Sequence, residues 1–298
     1  MEFSVIKKLK KFNINFYLSI TKNDKSYIID KSFGEEAKTI KNQVENFTNT
    51  FESNFGEQEN KNFKRNLASL YIKKNTDLTH PDATGEYSVL KNTIFIKKNV
   101  GLTLYHELFH TAANINENSG FERQENNLVY YRGINEGYTD LMTSKYFDDG
   151  KSRPGYFAET TICAMLDEIV GKDIMEKLYL NSDVEGLLDE LYKYFGDDKA
   201  LELLEILDSI YDEFEYADYN AERVDKLLKQ AYIYLCEAYI TKMHLEYKNN
   251  RLSITTAKLM ALDFMNNWDG VISFDGNEYA LTTDSIKEKI IQNNLPKI

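Results

Sequence analysis

The sequence predicts an α+β protein with a mixed α/β N-terminal lobe over residues 1–150 and a mainly helical C-terminal lobe over residues 151–298. Two observations support this fold class. Short β-prone runs occur beside helical periodicity in the first hundred residues, whereas after Pro154 apolar residues recur every three or four positions almost throughout. No Gly/Ser-rich stretch separates the two parts, so we expect no flexible linker between independent domains.

The first hundred residues predict several strands and one amphipathic helix. Residues 14–21 and 26–33 are β-prone runs on either side of a polar turn, which favours a β-hairpin. A helix follows, because its apolar residues recur at a spacing of three or four positions. Further strands are predicted at 67–73 and at 87–97, with a break at Asn92. The apolar positions of the helix are Ala37, Ile40, Val44, Phe47 and Phe51.

The C-terminal lobe predicts long helices followed by a hairpin and a short helix. One apolar stripe covers residues 200–214, and a second covers residues 221–239 on what reads as one long helix. Near the C-terminus the turn sequence 275–277 lies between two short β-prone runs, which predicts a hairpin. A helix capped by Thr283 or Asp284 is expected after it.

The acidity of the chain is regional. The 298 residues carry a formal net charge of −12, yet residues 155–230 alone hold 20 acidic and 7 basic side chains. Residues 1–100 hold 17 basic and 12 acidic side chains and are mildly basic. Binding to nucleic acid or to an anionic membrane surface requires a concentrated basic patch. We therefore expect neither of these partners.

Cysteine usage and the N-terminal sequence favour a cytoplasmic location. Cys163 and Cys236 both fall in apolar-periodic segments, so we predict two buried thiols, which fits a reducing compartment. The N-terminus has lysines but no uninterrupted apolar region and no small-residue cleavage site, so no signal peptide is predicted. No run approaches the 18 apolar residues that a membrane-spanning helix needs.

The strongest chemical signal is the pattern H-E-x-x-H at residues 106–110. Positions four apart on an α-helix point in the same direction, so His106 and His110 can share one metal ion. Glu107 lies on the flank of this pair, where it can reach a metal-bound water without binding the metal itself. The residue frequencies of the chain give about 0.005 chance occurrences of the pattern, which favours a functional interpretation.

A catalytic zinc site needs a third protein ligand and an open position for water. A third histidine at position 116 is excluded because Asn116 stands there, so a carboxylate is required. The best candidate is Glu136 in the segment 133–140, where Asp140 shares its helical face. We expect Glu136 to bind the metal and Asp140 to accept the free N–H of a ligating imidazole.

Together the two motifs resemble those of the gluzincin metallopeptidases, the thermolysin-like and aminopeptidase-like branch of the zincins. The resemblance rests on H-E-L-F-H at 106–110, on N-E-G-Y-T-D at 135–140 and on a preceding β-run. It implies a zincin-like fold in which an edge strand receives extended substrate and a helical lobe closes the cleft. Carried over residue by residue, it implies one zinc ion held by His106, His110 and Glu136, with Glu107 as the base and Asp140 as the partner of an imidazole.

A zinc-dependent metallopeptidase is therefore the expected function. Glu107 would take a proton from the zinc-activated water and return it to the leaving amine. The segment 87–96 is either the edge strand that binds peptide by β-augmentation or an ordinary internal hairpin. His80 is interpreted as a loop residue. The residues left open for stabilising the oxyanion are Tyr130, Tyr131, Tyr216, Tyr219 and His244.

Two other functions stay open from the sequence. A zincin scaffold can serve as a regulatory or binding module without peptidase activity, although such a module has no need of a base at Glu107. A zinc hydrolase acting on another amide is the third hypothesis. The expected partner is a peptide or protein substrate, and the acidity of residues 155–230 suggests a basic one if that segment lines the cleft. The sequence does not indicate cleavage specificity or oligomeric state.

Overall fold

The chain divides into two compact units, Met1–Glu117 and Asn118–Ile298. Helices predominate and small sheets accompany them, so the α+β class predicted from the sequence is confirmed. The lobe boundary predicted after residue 150 falls in a stretch outside the described residues and stays a prediction. The computed structural model describes residues 16–20, 26–74, 83–97, 101–116, 118–125, 128–147, 155–215, 220–268, 273–274 and 277–278.

Among the described residues of the first unit, five strands form one mixed sheet. In chain order they are β1 (Phe16–Ile20), β2 (Ser26–Asp30), β3 (Tyr71–Lys74), β4 (Gly85–Ser88) and β5 (Thr93–Ile96). Their spatial order is β1-β2-β3-β5-β4. β1 and β2 are antiparallel, which confirms the predicted N-terminal hairpin. β2, β3 and β5 are parallel neighbours, and β4 pairs antiparallel with β5 at one edge of the described sheet.

The β4–β5 hairpin turns at Asn92, where the sequence predicts a break. Asn92 has a φ of +45°, a left-handed conformation that asparagine tolerates better than most residues. Its side-chain oxygen accepts a hydrogen bond from the Tyr87 hydroxyl at 2.8 Å, and its amide nitrogen donates to the Asn66 carbonyl at 2.7 Å. Because β4 is also the outermost described strand on its side, the segment is both a hairpin and an edge strand.

The described helices of the first unit are α1 (Glu36–Asn54), α2 (Glu57–Leu67) and α3 (Thr103–Ala112). α1 confirms the predicted amphipathic helix, and its residues Phe47 and Phe51 are buried against Phe63 of α2. Phe109 of α3 joins this cluster, with its ring centroid 4.9 Å from that of Phe47. The strand predicted at 67–73 is wrong at its start, because residue 67 still belongs to α2 and the strand begins four residues later.

The second unit is mainly helical. Its described helices are α4 (Arg132–Phe147), α5 (Phe157–Leu166), α6 (Lys172–Leu180), α7 (Val184–Phe195), α8 (Asp197–Glu215), α9 (Ala221–Lys248) and α10 (Ile254–Trp268). α8 and α9 confirm the two predicted apolar stripes, which lie in the buried core of this unit. A π-helical turn at Asp167–Gly171 joins α5 to α6, and its last residue has a φ of +115° that glycine tolerates.

Several short strands complete the described chain. They are β6 (Asn114–Ile115) in the first unit, and β7 (Asn118–Ser119), β8 (Arg123–Glu125), β9 (Leu128–Tyr130), β10 (Ser273–Phe274) and β11 (Asn277–Glu278) in the second. β10 and β11 pair antiparallel where the C-terminal hairpin is predicted. The predicted helix with its cap at Thr283 or Asp284 lies outside the described residues.

Cys163 and Cys236 are buried free thiols, as predicted. Within the described chain, no helix combines the length and apolar character needed to cross a membrane.

Candidate metal centre

His106 and His110 lie one turn apart on α3 with their ring nitrogens facing each other. The two Nε2 atoms are 3.0 Å apart. A tetrahedral zinc ion with Zn–N distances near 2.0–2.1 Å holds two imidazole nitrogens about 3.3 Å apart, so the observed spacing is close to that of a shared ligand pair. The opposite side of α3 is apolar, since Leu104, Leu108 and Phe109 are fully buried. One short helix can therefore serve both core packing and metal coordination.

Glu107 is nearly buried, with 6% of its surface exposed, and lies against the edge strand β4. A Cβ atom added at Gly85 of β4 would lie 2.8 Å from Oε1 of Glu107 and 2.6 Å from Cγ2 of Thr103. The hydroxyl of Thr103 is hydrogen bonded to that of Thr84 at 2.9 Å, which ties the first turn of α3 to the start of β4. Gly85 was not predicted from the sequence, although a glycine inside a strand is a known signal of close backbone approach.

Amide side chains hold the C-terminal end of α3. Asn66 of α2 donates from Nδ2 to the carbonyl oxygens of Thr111 at 2.9 Å and of Asn114 at 2.7 Å. The Asn114 amide donates to the Tyr87 hydroxyl on β4 at 2.6 Å, and burial raises the pKa of Tyr87 to about 12. These bonds satisfy carbonyl groups that a helix end leaves without intrahelical partners. They also fix the position of α3 relative to the β4–β5 hairpin.

The second motif forms the N-terminal half of α4, with Glu136 and Asp140 one turn apart. Asp140 is nearly buried, and its Oδ2 accepts the backbone N–H of Tyr156 at 2.9 Å. Asn135 is buried as well, and its side-chain oxygen accepts the backbone N–H of Phe121 at 3.0 Å. Asn135 and Asp140 therefore anchor α4 to the segments that contain Phe121 and Tyr156. The predicted bond from an imidazole to Asp140 stays a prediction.

The three residues predicted as metal ligands lie close together. His106, His110 and Glu136 each offer one ligand atom, and these atoms all lie within 4.8 Å of one another. Two imidazole nitrogens and one carboxylate oxygen form a donor set that suits zinc and leaves a coordination position for water. These are the residues that the two motifs predict as metal ligands, and their role as ligands stays a prediction.

The residues that the sequence offers as candidates for stabilising the oxyanion lie in different local environments. Tyr130 ends β9 and is 39% exposed, and Tyr131 precedes α4 with a φ of +65°. His244 lies near the end of α9, where burial and the neighbouring Lys248 lower its pKa. These candidates stay predictions. The other residues named from the sequence, His80, Tyr216 and Tyr219, lie outside the described residues.

Comparisons of the chain with protein-family models, with curated proteins and with solved structures found no match.

Proposed function

We propose that this protein is a zinc-dependent metallopeptidase of the gluzincin type, with a zincin-like fold. The observation that carries the proposal is the convergence of His106, His110 and Glu136, whose ligand atoms lie within 4.8 Å of one another. Glu107, next to the first histidine, adds a carboxylate that can act as a base beside the metal ligands. A site with three protein ligands is typical of catalytic zinc, whereas structural zinc sites are closed by four.

The residues of the site divide the chemistry between them. Zinc, when bound, lowers the pKa of a coordinated water and polarises a substrate carbonyl. His106 and His110 would hold the ion through ring nitrogens, and Glu136 would hold it through a carboxylate oxygen. Glu107 accepts the proton of the attacking water at its carboxylate and delivers that proton to the nitrogen of the leaving amine. The edge strand β4 offers main-chain groups to an extended peptide, as β-augmentation requires.

The decisive experiment combines metal analysis with a Glu107→Gln variant. We expect the reconstituted wild type to hold one zinc ion per chain and to cleave members of a proteome-derived peptide mixture, read by mass spectrometry. Glu107→Gln should keep the zinc and lose turnover by about 10²- to 10⁴-fold, the usual contribution of general acid–base catalysis. Glu57→Gln, an exposed carboxylate in the first turn of α2, is the matched control and should behave as wild type.

Absence of zinc after reconstitution, or wild-type turnover in Glu107→Gln, would overturn the proposal. Zinc binding together with inertness toward the whole peptide mixture would favour a regulatory or binding module. Turnover of other amides without peptide cleavage would favour a different zinc hydrolase. A preference for basic peptides is a further proposal, based on the acidity of residues 155–230, and cleavage rates indifferent to substrate charge at low salt would remove it.

A further inference from the structure

The helix that carries Glu136 is capped by a residue far away in sequence. Asp208 of α8 accepts the backbone N–H of Tyr131 at 2.8 Å through Oδ2 and that of Gly133 at 2.9 Å through Oδ1. The first N–H groups of a helix have no intrahelical partner, and a side chain just before the helix usually accepts them. Here one carboxylate from another helix accepts two, and its negative charge complements the positive end of the α4 dipole.

The backbone around this cap is fitted closely to α8. Tyr131 has a φ of +65°, a conformation that residues other than glycine, asparagine and aspartate seldom adopt. At Gly133 a Cβ atom would lie 2.2 Å from the carbonyl oxygen of Leu207 and 2.9 Å from the nitrogen of Asp208. These neighbours are backbone atoms, which cannot rotate away as a side chain can. The first turn of α4 therefore packs against α8 in a single position.

A second glycine fits α4 against α5. A Cβ atom at Gly137 would lie 2.6 Å from the carbonyl carbon and from the Cβ of Glu159. Gly133 and Gly137 thus stand on either side of Glu136 in the sequence, and each permits a close helix approach. Because Glu136 lies within the first two turns of α4, its carboxylate follows any shift or rotation of the capped end.

We propose that Asp208 is a positioning residue for the third metal ligand. By holding two N–H groups at the start of α4, it fixes the rotation and axial position of the turn that presents Glu136. This inference rests on the proposed function, since it assigns Asp208 a role in metal affinity. Asp208 is thus one carboxylate of the acidic segment 155–230 with a specific structural role.

The test is a double-mutant cycle read as zinc affinity, measured by competition with a chromophoric chelator. We expect Asp208→Ala to weaken zinc binding by about 10- to 100-fold, the range for residues that orient metal ligands. Asp208→Asn keeps one acceptor oxygen and should lose less. Asp212→Ala removes an exposed carboxylate four residues along α8 and is the control that should keep wild-type affinity. In a Glu136→Ala background, Asp208→Ala should change zinc affinity by less than about twofold, because the ligand it positions is gone.

Unchanged zinc affinity in Asp208→Ala overturns the inference, and so does an equal loss with and without Glu136, which would mark a general structural defect. Thermal unfolding of each metal-free variant checks that the chain is folded before its zinc affinity is compared with that of the wild type. If Asp208→Ala does not fold, Asp208→Asn carries the same cycle, and unchanged affinity there overturns the inference. Failure of the wild type to bind zinc refutes the proposed function and this inference with it, whereas loss of the coupling alone leaves the proposed function standing.

Discussion

Replacing Gly85 with alanine tests whether β4 positions Glu107, the proposed base. The added Cβ would lie 2.8 Å from Oε1 of Glu107 and 2.6 Å from Cγ2 of Thr103, whereas ordinary contact begins at 3.4 Å. The carboxylate oxygen therefore has to retreat by about 0.6 Å and the threonine methyl by about 0.8 Å. Both neighbours are side chains, so they can move, and we expect the protein to fold with a destabilisation of about 1–3 kcal/mol from overpacking.

The expected catalytic effect follows from that displacement. A 1 Å misplacement in an active site can cost about 10²-fold in rate, so about 0.6 Å corresponds to a loss of about 10- to 20-fold. Zinc content should be unchanged, because the nearest neighbours of the added Cβ belong to Thr103 and Glu107 and not to the proposed metal ligands. The loss should appear in kcat more than in KM, since proton transfer through Glu107 belongs to the chemical step.

The assay is steady-state cleavage of a peptide identified from the mixture, together with zinc analysis of each variant. Glu86→Ala, the neighbouring residue on β4 with the opposite side-chain direction, is the control. In a Glu107→Gln background, Gly85→Ala should cause no further loss, because the group it displaces no longer acts as a base. Wild-type turnover in zinc-loaded Gly85→Ala would refute the placement of the base by β4. Loss of zinc in this variant would instead show that the substitution acts through the ligands.

Two further predictions concern the stability of the second unit. Burial raises the pKa of Asp167 from 3.8 to about 6, against the effect of the hydrogen bond from the Tyr138 hydroxyl. The folded state holds this proton more tightly than the unfolded state, so the contribution of Asp167 to stability is fully present below about pH 4 and is lost as the pH rises through about 6. Chemical denaturation should show Asp167→Asn gaining up to about 3 kcal/mol on wild type between these limits, at about 1.4 kcal/mol per pKa unit, and a difference independent of pH would contradict the raised pKa. Gly137→Ala brings a Cβ to 2.6 Å from the backbone of Glu159 and should lower the free energy of unfolding by about 1–3 kcal/mol in urea titrations. Gly155→Ala, whose Cβ meets its nearest neighbour at 3.7 Å, is the control, and equal losses in the two variants would count against close packing of α4 on α5.

Regular apolar spacing made much of the fold predictable from the sequence. α1, α8 and α9 each bury a stripe of apolar residues at helical spacing, and the periodicity alone identifies them. α2 escaped prediction because half of its buried face is polar. Phe63 and Leu67 share that face with Asn62 and Asn66, so no apolar stripe forms. The buried amide of Asn66 is bonded to carbonyl groups of another segment, which the sequence of α2 cannot show.

The ligands of the candidate centre were predictable for a different reason. His106 and His110 stand four residues apart on one helix. Their spacing in sequence therefore already places their side chains on the same face, one turn apart. Gly85 and Asp208 act across long sequence separations, through a strand beside α3 and a helix beside α4. A glycine or an aspartate has many roles in proteins, and only the tertiary contact selects one. The close approach of the two histidines was therefore readable from the sequence, whereas the contacts of Gly85 and Asp208 were not.

The acidity of residues 155–230 also takes a different meaning once the contacts are known. Several of its carboxylates accept backbone N–H groups at helix starts, as Asp183 does for α7 and Asp208 does for α4. Glu213 is almost buried and pairs with Arg223. A carboxylate at a helix N-terminus is offset by the partial positive charge of that end, and a paired one is offset by its cation. The electric field that a cationic substrate would meet is therefore weaker than the count of acidic residues in this segment suggests. Part of the acidity stabilises the helices themselves.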